Sequence, residues 1–145
     1  MDTILIATDL SFMKNDVINT GLELARKTGA QVNLTVIINK NLDYFPADNG
    51  MIFSDQWEAR KYQAEVELNA IKDANGDISI HVITCIGTPQ QEIIEQALEK
   101  NASMIVIGTH GRGSLTSMFM GGTAQYVVRH SPVPVLVVPF NKQRH

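Results

Sequence analysis

The chain has 145 residues, 44% hydrophobic and 19% charged, with 12 Lys and Arg against 15 Asp and Glu and a formal net charge of −3. A chain of this length fits one domain, residues 1–145, which buries roughly 68–70% of its unfolded surface and needs no metal or disulfide staple. The acidic balance excludes a broad nucleic-acid footprint, which requires a basic excess, but not a small anion, because backbone N–H groups bind phosphate without net charge. The one cysteine, Cys85, has no internal disulfide partner, which suits a reducing compartment. No apolar run approaches the ~20 residues of a membrane span. The N-terminus lacks a basic leader segment, and its apolar stretch Ile4–Ala7 breaks at Asp9. The expected location is the cytoplasm, with neither membrane nor nucleic acid as a partner.

Thr3–Thr8 opens the chain as a short apolar run with strand character. Val17, Gly21, Leu24, Ala25 and Thr28 then form one helical stripe, closed by Gly29 as the C-terminal cap. Gln31–Ile38 is a second apolar run. The connection Asn39–Ser54 holds Tyr44, Phe45, Pro46, Gly50 and Phe53 without a clear period, and loops of this length serve as lids or binding loops or are disordered. Trp57, Ala64, Leu68 and Ile71 mark a second helix ended by Asn75-Gly76, with Trp57 and Tyr62 expected to pack against the sheet. Ile78–Cys85 is interrupted by Ser79, His81 and Thr84, which suits a strand at a sheet edge. Thr88 as N-cap, Pro89 at the first helical position and Gln91 completing a capping box start the third helix. Its expected core face is Ile93, Ile94, Ala97 and Leu98.

Met104–Gly108 is the fourth strand. In the fourth helix Ala124, Val127 and Val128 are expected to point inward, with Arg129 and His130 at the end where the dipole favours cations. Ser131-Pro132 stops it, and Pro134–Val138 is the last strand. Most of these strands are apolar at consecutive positions, as in a parallel sheet covered on both faces. Strand and helix alternate throughout, which implies an open, doubly wound five-stranded parallel α/β sheet of order 3-2-1-4-5 with four helices. Such sheets bind ligands at the carboxyl ends of the strands, where the strand order reverses.

Directly after the fourth strand comes Gly108-Thr109-His110-Gly111-Arg112-Gly113-Ser114, and Gly121-Gly122-Thr123 precedes the fourth helix. Glycines let a backbone approach a phosphate closely, and a helix start adds free N–H donors and a positive dipole end. The spacing is neither that of a P-loop nor of the dinucleotide fingerprint. Gly108-x2-Gly111-x9-Gly121 resembles the ATP-binding motif of the universal stress protein family. Ile4–Asp9, Gly87-Thr88-Pro89 and Ser131–Pro139 carry the same resemblance along the whole chain.

The resemblance implies a nucleotide-dependent regulatory protein of the stress response, binding ATP with Mg²⁺ across the ends of strands one and four. Asp9 matches the family's acidic residue near ribose or phosphates, and Ala7 and Ile37 match positions that flank the adenine. Ile107, Gly108, Thr109 and Gly111 correspond to residues lining base, ribose and phosphates, while Gly121, with Gly122 and Thr123, closes over the phosphate tail. The chain departs from the family at Gly122, where Ser or Thr is usual; one lost neutral hydrogen bond costs about 0.5–1.5 kcal/mol. Asp9 and Ser11 also read as competing caps for the first helix.

No catalytic residue is assigned. His110 and Arg112 suit either an acid–base and phosphate-clamp role or an ordinary loop surface. Slow autophosphorylation, which the family implies, would fall on Thr109, Ser114, Thr116 or Ser117. His81, His130 and His145 have no metal-ligand spacing, and Cys85 reads as a small buried hydrophobe. An α-hydrolase-type enzyme lacks its signature loop at Thr8–Phe12, and a phospho-receiver would need Asp and Lys where Gly87 and Pro139 stand. A scaffold of the same fold without nucleotide is the remaining alternative. The final strand is apolar without Lys or Glu and falls at a sheet edge, so an antiparallel homodimer through Pro134–Val138 is expected.

Overall fold

The computed structural model describes residues 1–11, 13–41, 53–110 and 121–139. Its elements run β1 (Thr3–Ala7), α1 (Lys14–Thr28), β2 (Gln31–Asn39), α2 (Phe53–Ala74), β3 (Ile80–Gly87), α3 (Pro89–Glu99), β4 (Met104–Gly108), α4 (Gly122–His130) and β5 (Val135–Val138). They form one five-stranded sheet of order β3-β2-β1-β4-β5, parallel at each of its four pairings. The doubly wound α/β order expected from the sequence is the order found.

Consecutive apolar residues in the central strands serve two separate cores. Ile4 and Ile6 point to a core with Val17, Leu22, Leu34 and Leu68, under α1 and α2. Leu5 and Ala7 point the other way, to Ile93, Ala97, Ile105 and Val127, under α3 and α4. A strand with a helix layer on each face has no solvent side, which is why its pattern lacks a polar alternation. Gly21 lets α1 lie close to β1: a Cβ there would overlap Ile6 Cδ1 and stand 2.6 Å from Ile6 Cγ1. Gly29 ends α1 with φ 73°, and its N–H donates to the Ala25 carbonyl.

Several expectations are corrected. β3 starts two residues later than the apolar run suggests, because Ile78 and Ile80 are both buried and the run alone does not mark the strand's start. α2 begins at Phe53, so Phe53 and Ser54 belong to the helix and not to the preceding connection. Tyr62 is 68% exposed rather than packed on the sheet. Two residues before Ala64 on a 3.6-residue turn, it sits about 200° around the helix from the buried stripe.

Leu98 and Val128 are 58% and 46% exposed, and Thr28 is exposed as well. The buried stripes of the short outer helices are narrow, Ile93 and Ala97 on α3 and Ala124 and Val127 on α4. A residue one step beyond such a stripe turns about 100° away from the core. Thr88 does stand at the N-cap of α3, but its side chain makes no cap hydrogen bond. The Thr88 carbonyl instead accepts the N–H groups of Gln91 and Glu92.

Candidate functional site

At the carboxyl end of the sheet, β1 has β2 on one side and β4 on the other, and the chain winds away from this point in both directions. The ends of β1 and β4 therefore part over a gap that no crossover helix fills. A cleft of about 110 Å³ opens there. Its walls come from four places: the β1–α1 turn, the end of β2, the start of α3, and the β4–α4 connection.

Nine of the ten positions expected from the sequence line this one cleft: Ala7, Asp9, Ile37, Ile107, Gly108, Thr109, Gly121, Gly122 and Thr123. The tenth, Gly111, lies outside the described residues, as do Arg112, Ser114, Thr116 and Ser117. Met13 at the N-cap of α1 and Val17 within it, Thr35 and Asn39 from β2, and Pro89 and Ile93 from α3 also line it, and the sequence pattern does not assign them there. Thr35 carries a signal: it is a fully buried polar residue within an apolar run.

The β1–α1 turn is held by its own side chains. Thr8 Oγ1 accepts the Leu10 N–H at 3.1 Å, and Asp9 Oδ1 accepts the Ser11 N–H at 3.0 Å. Leu10 sits at φ 60°, a left-handed conformation that a bulky residue adopts rarely. Neither Asp9 nor Ser11 caps α1 through its side chain. The N-cap is Met13 without a side-chain cap bond, and the Ser11 carbonyl accepts the Lys14 N–H. This releases Asp9 from the capping role and leaves it on the cleft wall.

Gly108 allows β4 to end against α1, since a Cβ would stand 3.0 Å from Val17 Cγ2 and 3.4 Å from Met13 Cε. Thr109 anchors the glycine-rich segment. Its N–H donates to the Val138 carbonyl of β5, and its own carbonyl accepts the Gly121 N–H at 2.7 Å. The two ends of the segment are thereby tied together beside the cleft. Thr109 Oγ1 lies 2.9 Å from His110 Nδ1 and 3.8 Å from Met13 Sδ. His110 Nε2 is buried without a hydrogen-bond partner.

α4 begins at the cleft with Gly121 as N-cap and no side-chain cap bond. The N–H groups of its first turn, from Gly122, Thr123 and Ala124, have no acceptor within their own helix. They supply donors and the positive dipole end on the cleft wall. A Cβ placed on Gly122 would meet nothing within 4 Å. Asp9 is the one charged side chain among the described lining residues.

Away from the cleft, burial pushes the Cys85 thiol up to about 11, and the Glu92 carboxylate adds to the rise. The thiol is therefore protonated at neutral pH, as an unreactive hydrophobe would be, although Cys85 is half-buried rather than fully enclosed. Among the described residues, no group of three or more His, Cys, Asp or Glu could hold a metal ion. No described helix is long and apolar enough to cross a membrane.

Known proteins share both the sequence and the fold. The chain is 27% identical over 137 residues to a universal stress protein of Methanocaldococcus jannaschii, covering 93% of this chain and 80% of that one. The universal stress protein UspA of Lactobacillus plantarum superimposes with a TM-score of 0.83 at 20% identity, over 94% of this chain and 97% of that one. A universal stress protein of Arabidopsis thaliana, solved with AMP bound, superimposes with a TM-score of 0.67 at 14% identity, over 99% and 95% of the two chains. Residues 1–139 match the universal stress protein family, whose members are generally regulatory and not catalytic. The chain belongs to the universal stress protein family.

Proposed function

We propose that the cleft binds an adenine nucleotide, ATP with Mg²⁺ in its fullest form, and that the protein acts as a nucleotide-dependent regulator in the stress response. The observation that carries this reading is the meeting, in one cleft, of an apolar slot and a row of free N–H donors. Ala7, Ile37 and Ile107 suit a flat base, and the α4 start suits phosphate. A relative of the same fold solved with AMP bound supports the choice of adenine.

Mg²⁺ fits as an ion carried in by the phosphates. The described residues hold no cage of three ligands, and Asp9 is the one carboxylate on the wall. Magnesium commonly binds through one or two carboxylates together with substrate phosphates. Hydrolysis is expected to be negligible, since no described carboxylate or histidine pair is arranged as base and orienting group around a water. Turnover near 1 s⁻¹, in the usual enzymatic range, would contradict this.

The protein is further proposed to be cytoplasmic and to form a homodimer through β5. That strand lies at the sheet edge, with Val135, Leu136 and Val137 half-buried and no covering strand among the described residues. A scaffold without nucleotide is the second reading, favoured by the missing hydroxyl at Gly122. The two separate by denaturing the purified protein and analysing what it releases, then titrating the refolded or stripped chain with ATP and Mg²⁺. Adenine nucleotide in the supernatant or saturable heat supports binding; neither one leaves the scaffold.

A further inference from the structure

We propose that the Asn75-Gly76 peptide at the end of α2 is a site of spontaneous deamidation, and that Arg26 of α1 holds it latent in the folded chain. None of these three residues lines the cleft between β1 and β4.

In an Asn-Gly pair the following backbone nitrogen reaches the side-chain amide with little hindrance, because glycine has no Cβ to crowd the approach. Asn75-Gly76 lies in the turn that carries α2 into β3, with Asn75 half-buried and Gly76 exposed. Asn75 Nδ2 donates to the Ile71 carbonyl at 2.8 Å, so the amide folds back along the last turn of α2. Arg26 Nη2 donates to Asn75 Oδ1 at 2.6 Å and fixes its other end. Arg26 is in turn aimed by Asp77, whose carboxylate accepts from Nε at 2.7 Å and from Nη2 at 3.3 Å. Attack requires the amide carbon to swing forward onto the Gly76 nitrogen. Both ends of the amide are held in the opposite direction.

Once the amide swings free, the Gly76 N–H gives its proton to water or hydroxide and the nitrogen bonds to Asn75 Cγ. The Cγ–Nδ2 bond breaks and Nδ2 leaves as ammonia. Water then opens the cyclic imide at either carbonyl, giving an aspartyl residue or an isoaspartyl one in which the main chain runs through Cβ and Cγ. Either product sets a carboxylate at the C-terminal end of α2, where the helix dipole disfavours negative charge. The isoaspartyl form also takes out of the main chain the carbonyl that accepts the Ile78 N–H at 3.1 Å on the way into β3.

The test is peptide mapping by mass spectrometry on the full-length protein held at mildly alkaline pH, folded and in urea. It reads the NH₂-to-OH mass gain at Asn75 and the chromatographic split into aspartyl and isoaspartyl peptides. Folded wild type is expected to react more slowly than the same chain in urea. Folded Arg26→Ala is expected to react about two- to fivefold faster than folded wild type, the range an exposed charged contact supports. In urea, where the clamp is absent, the two chains should react alike. Gly76→Ala should suppress the product in both backgrounds; its added Cβ meets nothing within 4 Å, and the backbone there is not left-handed. Asn49-Gly50, the chain's other Asn-Gly pair, lies outside the described residues and serves as the internal reference, with a rate that Arg26→Ala leaves unchanged. Folded Arg26→Ala reacting no faster than wild type overturns the proposal. So does equal acceleration at both Asn-Gly pairs, which reports general loosening, or a folded wild type that reacts as fast as in urea.

Discussion

Gly122→Ser restores the hydroxyl that the family motif usually carries, and the structure indicates that it enters freely. Gly122 is the first residue of α4, its backbone is not in the left-handed region, and a Cβ there meets nothing within 4 Å. The substitution therefore adds one donor–acceptor group at the helix start without strain or displaced neighbours. A neutral hydrogen bond contributes about 0.5–1.5 kcal/mol, and 1.4 kcal/mol is tenfold in affinity, so binding should tighten by about 2- to 12-fold. A charge-assisted bond to phosphate would exceed that range. Gly122→Ala controls for helix propensity, since it supplies the Cβ without the hydroxyl and should leave affinity within about twofold. Titration calorimetry with ATP and Mg²⁺ reads both variants. Equal affinities for the serine and alanine variants, or weaker binding in both, would refute the placement of phosphate at this helix start.

Gly21→Ala should destabilise the fold by about 1–3 kcal/mol in denaturant unfolding, because its Cβ would overlap Ile6 Cδ1 in the core beneath α1; an unchanged midpoint would mean α1 is not held that close to β1. Val137→Pro should convert the proposed dimer to monomer or aggregate by light scattering. The Ile105 and Thr109 N–H groups donate to Pro134 and Val138, so by alternation the Val137 N–H faces the free edge and its loss spares the β4–β5 ladder. A wild type that stays monomeric at micromolar concentration removes the dimer outright. Cys85 should label slowly at pH 8 and faster toward pH 11, following its thiol raised by burial to about 11. The raised folded-state value stabilises the protein below pH 9 and is lost as pH rises from 9 to 11. Cys85→Ala should abolish that alkaline loss, and a thiol that labels fully at pH 7 would contradict it.

The strands are legible in the sequence because burial on two faces writes itself as unbroken apolar residues, as at Ile4–Ala7 and Ile105–Ile107. Gly21 is legible as a point of close helix–strand approach because a Cβ there would overlap Ile6, and at Gly108 a Cβ would press on Val17 Cγ2 at 3.0 Å. Less is readable on the helices. Leu98 and Val128 are apolar residues one step off a narrow stripe, and periodicity does not fix how wide a stripe the neighbours will cover. The turn after β1 misleads for a similar reason. Asp and Ser before a helix suggest a cap, yet Asp9 closes on Ser11 within the turn and α1 starts later, at Lys14. Met13 and Val17 serve core and cleft wall at once, and their sequence pattern records only the first of these.

The most direct test of nucleotide binding at this cleft is titration of wild type and Gly121→Val with ATP and Mg²⁺. Gly121 sits at φ −67° and ψ 164°, an extended conformation that valine adopts readily. The substitution therefore keeps the backbone and adds its bulk at the N-cap of α4, on the cleft wall. Saturable binding by wild type, abolished in Gly121→Val with unfolding midpoints alike, is the predicted result. Equal affinity in the two proteins would contradict the site, and no binding by wild type would contradict the function.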